Sequence, residues 1–180
     1  MSQFYELSAL KGQSEYLFSQ LRNKVVLIVN VASLCGFSPQ YDELQHLYDV
    51  FPHDEFEILA FPCHQFGDQE LDNFDDIREY VASRFKVSFP ILSPVQVNGE
   101  KTHPVFKYIK EGKSGFLGFK GVRWNFEKFL IDPNGVVVGR FLSGVAPALL
   151  EPVIQMILDR KRANEKREQE ISAPKSTSSL

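Results

Sequence analysis

The sequence predicts an α/β fold, and three observations predict it. A continuous apolar run from Val25 to Val31, interrupted only by Asn30, has the composition of a strand buried on both faces. A helical pattern follows it, and then a second apolar run, Phe56 to Phe61, which is the order of a strand–helix–strand unit. Near the end, Asp132-Pro133-Asn134-Gly135 joins two further apolar stretches as a hairpin, and an amphipathic helix closes the chain.

In chain order, Phe4 to Leu7 alternates like a strand and meets a turn at Lys11-Gly12, after which Tyr16 to Leu21 leads into the central strand. An N-terminal hairpin over the sheet is expected. Ser38 is placed to cap the first helix, with Pro39 at its first position and Tyr41, Leu44, Leu47 and Tyr48 on one face. Pro62 ends the second strand, and a polar loop, PCHQFGDQEL, follows. Asn73 caps a helix whose Phe74, Ile77, Tyr80, Val81 and Phe85 form an apolar stripe. Phe89 to Leu92 reads as a short strand segment, Asn98-Gly99 as a turn, and Pro104 to Gly112 as a short helix. The glycine-rich KSGFLGFKG lacks the spacing of a phosphate loop and reads as a flexible connection. The first hairpin strand begins at Trp124 and Asn125, and the last helix runs from Ala146 to Ile157. A strand–helix–strand unit with a cysteine at its first turn, closed by a hairpin and a helix, is a thioredoxin-like arrangement with an N-terminal hairpin and an inserted helix-containing connection.

Composition bounds what such a chain does. With 180 residues, 43% hydrophobic and 16 Phe, it has enough apolar surface for one substantial core. The expected division is a domain over 1–158 and a charged tail over 159–180, helical as far as Glu170 and disordered beyond. A net charge of −3 and no basic stripe with interleaved aromatics argue against a nucleic-acid partner. No apolar run approaches the roughly 20 residues that span a bilayer, so no stable membrane insertion is expected. Two cysteines and an N-terminus without signal-peptide character predict a reducing, cytoplasmic setting. The C-terminal Ser-Ser-Leu leaves a peroxisomal address as the alternative. The four histidines and two cysteines form no metal-ligand spacing, and no bound metal or cofactor is expected.

Cys35 is the candidate nucleophile. It stands between the central strand and the first helix, where unpaired backbone N–H groups and the helix dipole favour a thiolate, the reactive form of the side chain. Cys35-Gly36-Phe37-Ser38 has the spacing of a two-cysteine redox motif with serine in the second place, so no local disulfide can close. The residues leave a second reading open, a cysteine filling a small apolar gap.

Three blocks decide between them. NVASLCGFSPQY, FPCHQFGDQE and WNFEKFLID resemble, in order, the signature blocks of the glutathione peroxidase family, and the similarity extends from about Phe4 to the last helix. The resemblance implies a cysteine-type thiol peroxidase with Cys35 as peroxidatic residue, assisted by Gln69, Trp124 and Asn125. It implies hydrogen peroxide or organic hydroperoxides, lipid ones included, as substrate. The reductant would be an external thiol, either glutathione or a redoxin such as thioredoxin or glutaredoxin. The residue types suit that chemistry: a thiolate attacks one peroxide oxygen and becomes a sulfenic acid, while indole and amide N–H groups stabilise charge without titrating.

Departures from the family pattern carry further expectations. Leu34, His64 and Leu71 stand where many members have lysine, asparagine and proline. The loss of a lysine at Leu34 removes a charge near Cys35; His64 either compensates or sits exposed in its loop. Val81 occupies the position where thioredoxin-dependent members carry a resolving cysteine, and Cys63 belongs to a motif usually regarded as structural. A one-cysteine cycle is therefore expected, with recruitment of Cys63 as the alternative. A redox relay, passing oxidation from Cys35 to a partner protein, is the alternative function. Tetrameric members of the family carry a longer insertion between Gly112 and Trp124, so the resemblance implies a monomer or weak dimer for the short interval here.

Overall fold

The structure, a computed structural model, describes residues 2–172, with the side chain of Phe116 left out. Two short strands, β1 (Ser8–Lys11) and β2 (Ser14–Leu17), form an antiparallel hairpin. The main sheet holds β3 (Val25–Val31), β4 (Phe56–Pro62), β5 (Lys128–Ile131) and β6 (Val137–Phe141) in the order β4-β3-β5-β6. β3 and β4 run parallel, joined through α1 (Gln40–Val50). β5 is antiparallel to both β3 and β6. The remaining helices are α2 (Phe74–Phe85), α3 (Pro104–Gly112) and α4 (Glu151–Ser172).

Every residue of β3 and β4 is buried, as their apolar composition requires. Successive side chains point to opposite faces of a sheet, so the two strands feed two cores. Val25, Leu27 and Val29 pack with Tyr41, Leu44 and Leu47 of α1, Ile77 and Val81 of α2, and Ile154 and Leu158 of α4. Val26, Ile28, Leu59 and Phe61 pack on the other face with Phe4, Phe18 and the Val105, Phe106 and Ile109 stripe of α3. Each such fully buried large side chain contributes about 1.5–3 kcal/mol against exposure, so the sheet is held from both sides. Loops at its C-terminal edge are thereby fixed in place.

Several expectations change. Phe4 to Leu7 is not a strand: Gln3–Glu6 is a 3-10 turn, with Ser2 Oγ accepting from the Phe4 N–H at 3.3 Å. The turn lets consecutive Phe4 and Tyr5 both be buried, ring edge to ring face at 5.5 Å, which strand alternation forbids. The hairpin lies later, pivoting on Gly12 at φ 64°. Ser38 does not cap α1; Pro39 occupies the cap position without a side-chain bond, and successive turns lead in, Ser38 N–H to Cys35 C=O and Tyr41 N–H to Ser38 C=O. Phe89 to Leu92 contributes only one bridge, Ile91 beside Ala60, because Pro90 and Pro94 supply no N–H to extend a ladder.

At the other end, the strand expected from Trp124 begins at Lys128, and Trp124 and Asn125 precede it in a turn. The expected Ala146–Ile157 helix is split into a 3-10 turn, Pro147–Leu150, and α4, because Pro152 tolerates a helix only in its first turn. α4 continues past Glu170 to Ser172, and its charged part is fastened by Glu55, which pairs with Lys161 at 3.5 Å and with Arg162. The Ser/Pro/Lys tail beyond it lies, from Ala173 on, outside the described residues.

KSGFLGFKG is a held connection rather than open chain. The Arg140 guanidinium donates to the Lys113, Phe119 and Gly121 carbonyls at 3.2, 3.4 and 2.5 Å, and its Nε pairs with buried Glu127 at 2.6 Å.

Candidate functional site

Cys35 follows β3 in the turn that enters α1 and is 4% exposed. Its Sγ accepts the Phe37 N–H at 3.4 Å. That donor is one of the free N–H groups which the approach to a helix presents, so the local sequence supplies it. Gly36 between them has open space where a side chain would begin, and Leu34 and Phe37 are exposed on either side.

The loop after β4 docks on this turn. The Leu34 N–H donates to the Gln69 carbonyl at 2.9 Å, and the Ser33 N–H donates to Glu70 Oε1 at 3.0 Å. Glu70 Oε1 also accepts from its neighbour Leu71 at 2.9 Å. Glu70 is buried, and that burial pushes its carboxyl above the ordinary range; the hydrogen bonds from Ser33 and Leu71 work against the rise. Its Oε2 is buried without a hydrogen-bond partner among the described residues.

The turn before β5 completes the arrangement. Asn125 is fully buried, and its Nδ2 donates to Gln69 Oε1 at 3.2 Å and to the Phe66 carbonyl at 3.3 Å. With Gln69 Oε1 engaged in this way, the Gln69 NH2 group is left to donate elsewhere. Asn125 Oδ1 is buried and unpartnered among the described residues. The Trp124 ring, 40% exposed, lies 5.8 Å from that of Phe66 and passes over Gly67, where a Cβ would meet it at 3.6 Å. Gly67 has φ 69°, so the loop needs glycine there for its backbone as well.

Gln69, Trp124 and Asn125 are thus brought together from two loops, and Gln69 is tied by its backbone to the residue before Cys35. His64 is half-buried with Nδ1 3.6 Å from Asp68 Oδ1. Val81 is buried in the same core as Cys35, whereas Cys63 belongs to the core on the opposite face of the sheet. Burial pushes the Cys63 thiol up, and its Sγ lies 3.7 Å from Gln65 Oε1. Among the described residues no group of three or more His, Cys, Asp or Glu side chains is arranged to hold a metal ion.

Sequence reasoning missed Glu70, Asn30 and Lys128. Asn30 signals itself as the polar break in the central strand, and its Nδ2 donates to the Trp124 carbonyl at 3.0 Å. Lys128 stands in a strand that is buried throughout. Glu70 gave no signal, since an acidic residue in a polar loop is ordinarily solvated.

Residues 4–110 match the family model described as glutathione peroxidase. Glutathione peroxidase-like peroxiredoxin 2 of Saccharomyces cerevisiae is 50% identical over 159 residues, covering 87% of this chain and 98% of that one. This chain belongs to the glutathione peroxidase family. The glutathione peroxidase homolog BsaA of Bacillus subtilis is 45% identical over 76% of this chain and 86% of its own. Among solved structures, that of T. cruzi GPX1 matches with a TM-score of 0.71 and 35% identity, over 87% of this chain and 96% of that one. A thioredoxin-family thiol:disulfide interchange protein from Chlorobium tepidum, 13% identical, matches with a TM-score of 0.64 over 84% of this chain and 92% of its own. At that identity the likeness is one of fold, and it makes this glutathione peroxidase-family chain thioredoxin-like.

Proposed function

We infer that the protein is a thiol peroxidase in which the Cys35 thiolate attacks one oxygen of a hydroperoxide. The O–O bond breaks, the distal fragment leaves as water or an alcohol after taking up a proton, and Cys35 becomes a sulfenic acid. The observation that carries this reading is the docking of the Cys35 turn on Gln69, which in turn is held by Asn125. In this reading the free Gln69 NH2 group and the Trp124 indole N–H serve the reacting sulfur, since neutral donors are suited to the charge that shifts from sulfur to oxygen.

An external thiol, glutathione or a redoxin, returns the sulfenic acid to the thiol in a one-cysteine cycle, with no bound cofactor. Two placements support this: Val81 stands in α2 where a resolving thiol is expected, and Cys63 packs across the sheet from Cys35. Exposed Leu34 and Phe37, which flank Cys35 in the chain, suit apolar hydroperoxides, and we propose a monomer or weak dimer as the working form.

Peroxide consumption by wild type and Cys35→Ser, supplied in turn with glutathione and with a thioredoxin system, tests the reading. Sustained turnover dependent on Cys35 supports it, and the faster donor identifies the reductant. The same two placements favour a second reading, a relay in which oxidised Cys35 forms a mixed disulfide with a partner protein. One equivalent of peroxide consumed, with neither donor supporting more, would favour the relay.

A further inference from the structure

Phe126, next to Asn125, has φ 64°, a left-handed backbone that a bulky residue adopts only under constraint. The constraint comes from two residues that, among the described residues, share no hydrogen bond with Cys35 or with one another. Asn30, the penultimate residue of β3, donates from Nδ2 to the Trp124 carbonyl at 3.0 Å and accepts the Phe126 N–H on its backbone carbonyl at 2.6 Å. Lys128, fully buried at the start of β5, donates from Nζ to the Phe126 carbonyl at 2.8 Å. The peptide groups on both sides of Asn125 are therefore gripped from below.

Lys128 does more than hold the turn. Its other two N–H groups go to the Val145 and Ser143 carbonyls at 2.7 and 3.3 Å, so all three donors of the ammonium are used. The Ser143 carbonyl also accepts from Gln40 Nε2 at 2.7 Å, and Gln40 is the first residue of α1, the helix that Cys35 leads into. One buried cation thus joins the element that carries the sulfur to the turn that carries Trp124 and Asn125.

Resting on the peroxidase reading, we propose that Asn30 and Lys128 are positioning residues for peroxide reduction. Together they hold the Trp124–Asn125–Phe126 turn in its left-handed form and so set the aim of the Trp124 indole and Asn125 amide relative to Cys35. Neither meets the peroxide itself. Their effect falls on O–O cleavage and not on the bare nucleophilicity of the sulfur.

Burial pushes the Lys128 ammonium down to about 8, against the opposing pull of Glu43 on α1 and of Glu127 just before β5; Glu127 is itself paired with Arg140. A neutral amine has two N–H donors in place of three, so one of the three carbonyls loses its partner above that pH. Trp124 is the chain's single tryptophan, which makes its emission a direct report on the turn.

The test compares Lys128→Met and Asn30→Ala with wild type in two single-turnover reactions, oxidation of Cys35 by hydrogen peroxide and its alkylation by iodoacetamide, with Cys63→Ala throughout so that one thiol reacts. We expect the peroxide rate to fall about 10- to 100-fold and the alkylation rate to change less than about threefold. Parallel losses in both reactions, or no loss in either, overturn the proposal. Should Lys128→Met fail to fold, Asn30→Ala decides alone. Trp124 emission at pH 7, recorded in Cys35→Ser with and without Asn30→Ala, must also shift; an unchanged spectrum overturns the clamp. If wild type reduces no peroxide at all, the peroxidase reading fails, and the emission comparison still decides whether the clamp exists.

Discussion

Cys35 and Cys63 are a natural comparison, because each follows a strand of the same parallel pair and each is buried, yet they sit in different chemistry. Cys35 lies on the α1 face, accepts a backbone N–H from the approach to that helix, and has the Gln69 loop docked on its turn. Cys63 continues directly from β4, faces the α3 core, and has its thiol form favoured by burial. The difference teaches that burial by itself makes a cysteine inert. What sets Cys35 apart is a chain entry that presents an N–H group to the sulfur, and a second loop whose Gln69 carbonyl and Glu70 carboxyl accept from the two residues before it.

The largest expected effect breaks the pair outright. Cys35→Ser removes sustained peroxide turnover, while Cys63→Ala leaves the steady-state rate within about twofold, since a small buried thiol is replaced by a small apolar group. Comparable losses from both changes would contradict the opposite placement of the two sulfurs. A second change moves a thiol onto the Cys35 face: Val81→Cys should yield, after one equivalent of peroxide, an intramolecular disulfide between Cys35 and the introduced thiol. Non-reducing peptide mapping reads that link, and turnover with thioredoxin should rise relative to glutathione.

Smaller effects sharpen what surrounds Cys35. On the proposed reading Gln69→Ala removes a donor to developing charge and Asn125→Ala removes the group that holds Gln69, and about 1.5–3 kcal/mol for such a bond corresponds to a peroxide rate lower by about 10- to 100-fold in each. Stopped-flow oxidation measures it. Glu70 provides a pH signature. Its folded pKa is raised, so the folded state holds the proton more tightly, and its contribution to stability is full below the ordinary 4.5 and lost as pH rises through the raised value. Urea unfolding of Glu70→Gln against wild type, from pH 4 upward, should show the wild-type slope flattened in the variant.

The smallest effect is expected at His103, which caps α3 with Nδ1 accepting the Val105 N–H at 3.3 Å and whose pKa is lowered by burial. Its contribution is present above the ordinary 6.5 and lost as pH falls through the depressed folded value, because protonation destroys the acceptor. His103→Asn keeps a cap and should remove that slope from thermal unfolding.

Much of the frame was legible along the chain. The seven-residue apolar strands, the α2 and α3 stripes, Pro104 at a helix start and the Asp132–Gly135 turn are local patterns, and local patterns survive folding when the core agrees with them. Phe4 and Tyr5 misled because alternation and a tight turn look alike over four residues. Cys35 was legible from its place at a strand–helix junction. Gln69, Trp124 and Asn125 were named through a family resemblance and not through any spacing between them, since Asn125 lies 56 positions from the glutamine it binds.

By itself the sequence determined which segments become strands and helices, that one cysteine stands at a helix entry, and that no second thiol follows on α2. Those are properties of neighbours in the chain. Tertiary structure alone decided that Cys63 faces away, that Glu70 is buried against the Ser33 N–H, and that Asn30 and Lys128 grip the turn beside Asn125. The physical reason is that burial and hydrogen-bond partnership are set by which faces meet when the sheet closes between its two cores, and a polar residue in a one-dimensional pattern carries no mark of the carbonyl or carboxylate it will find there.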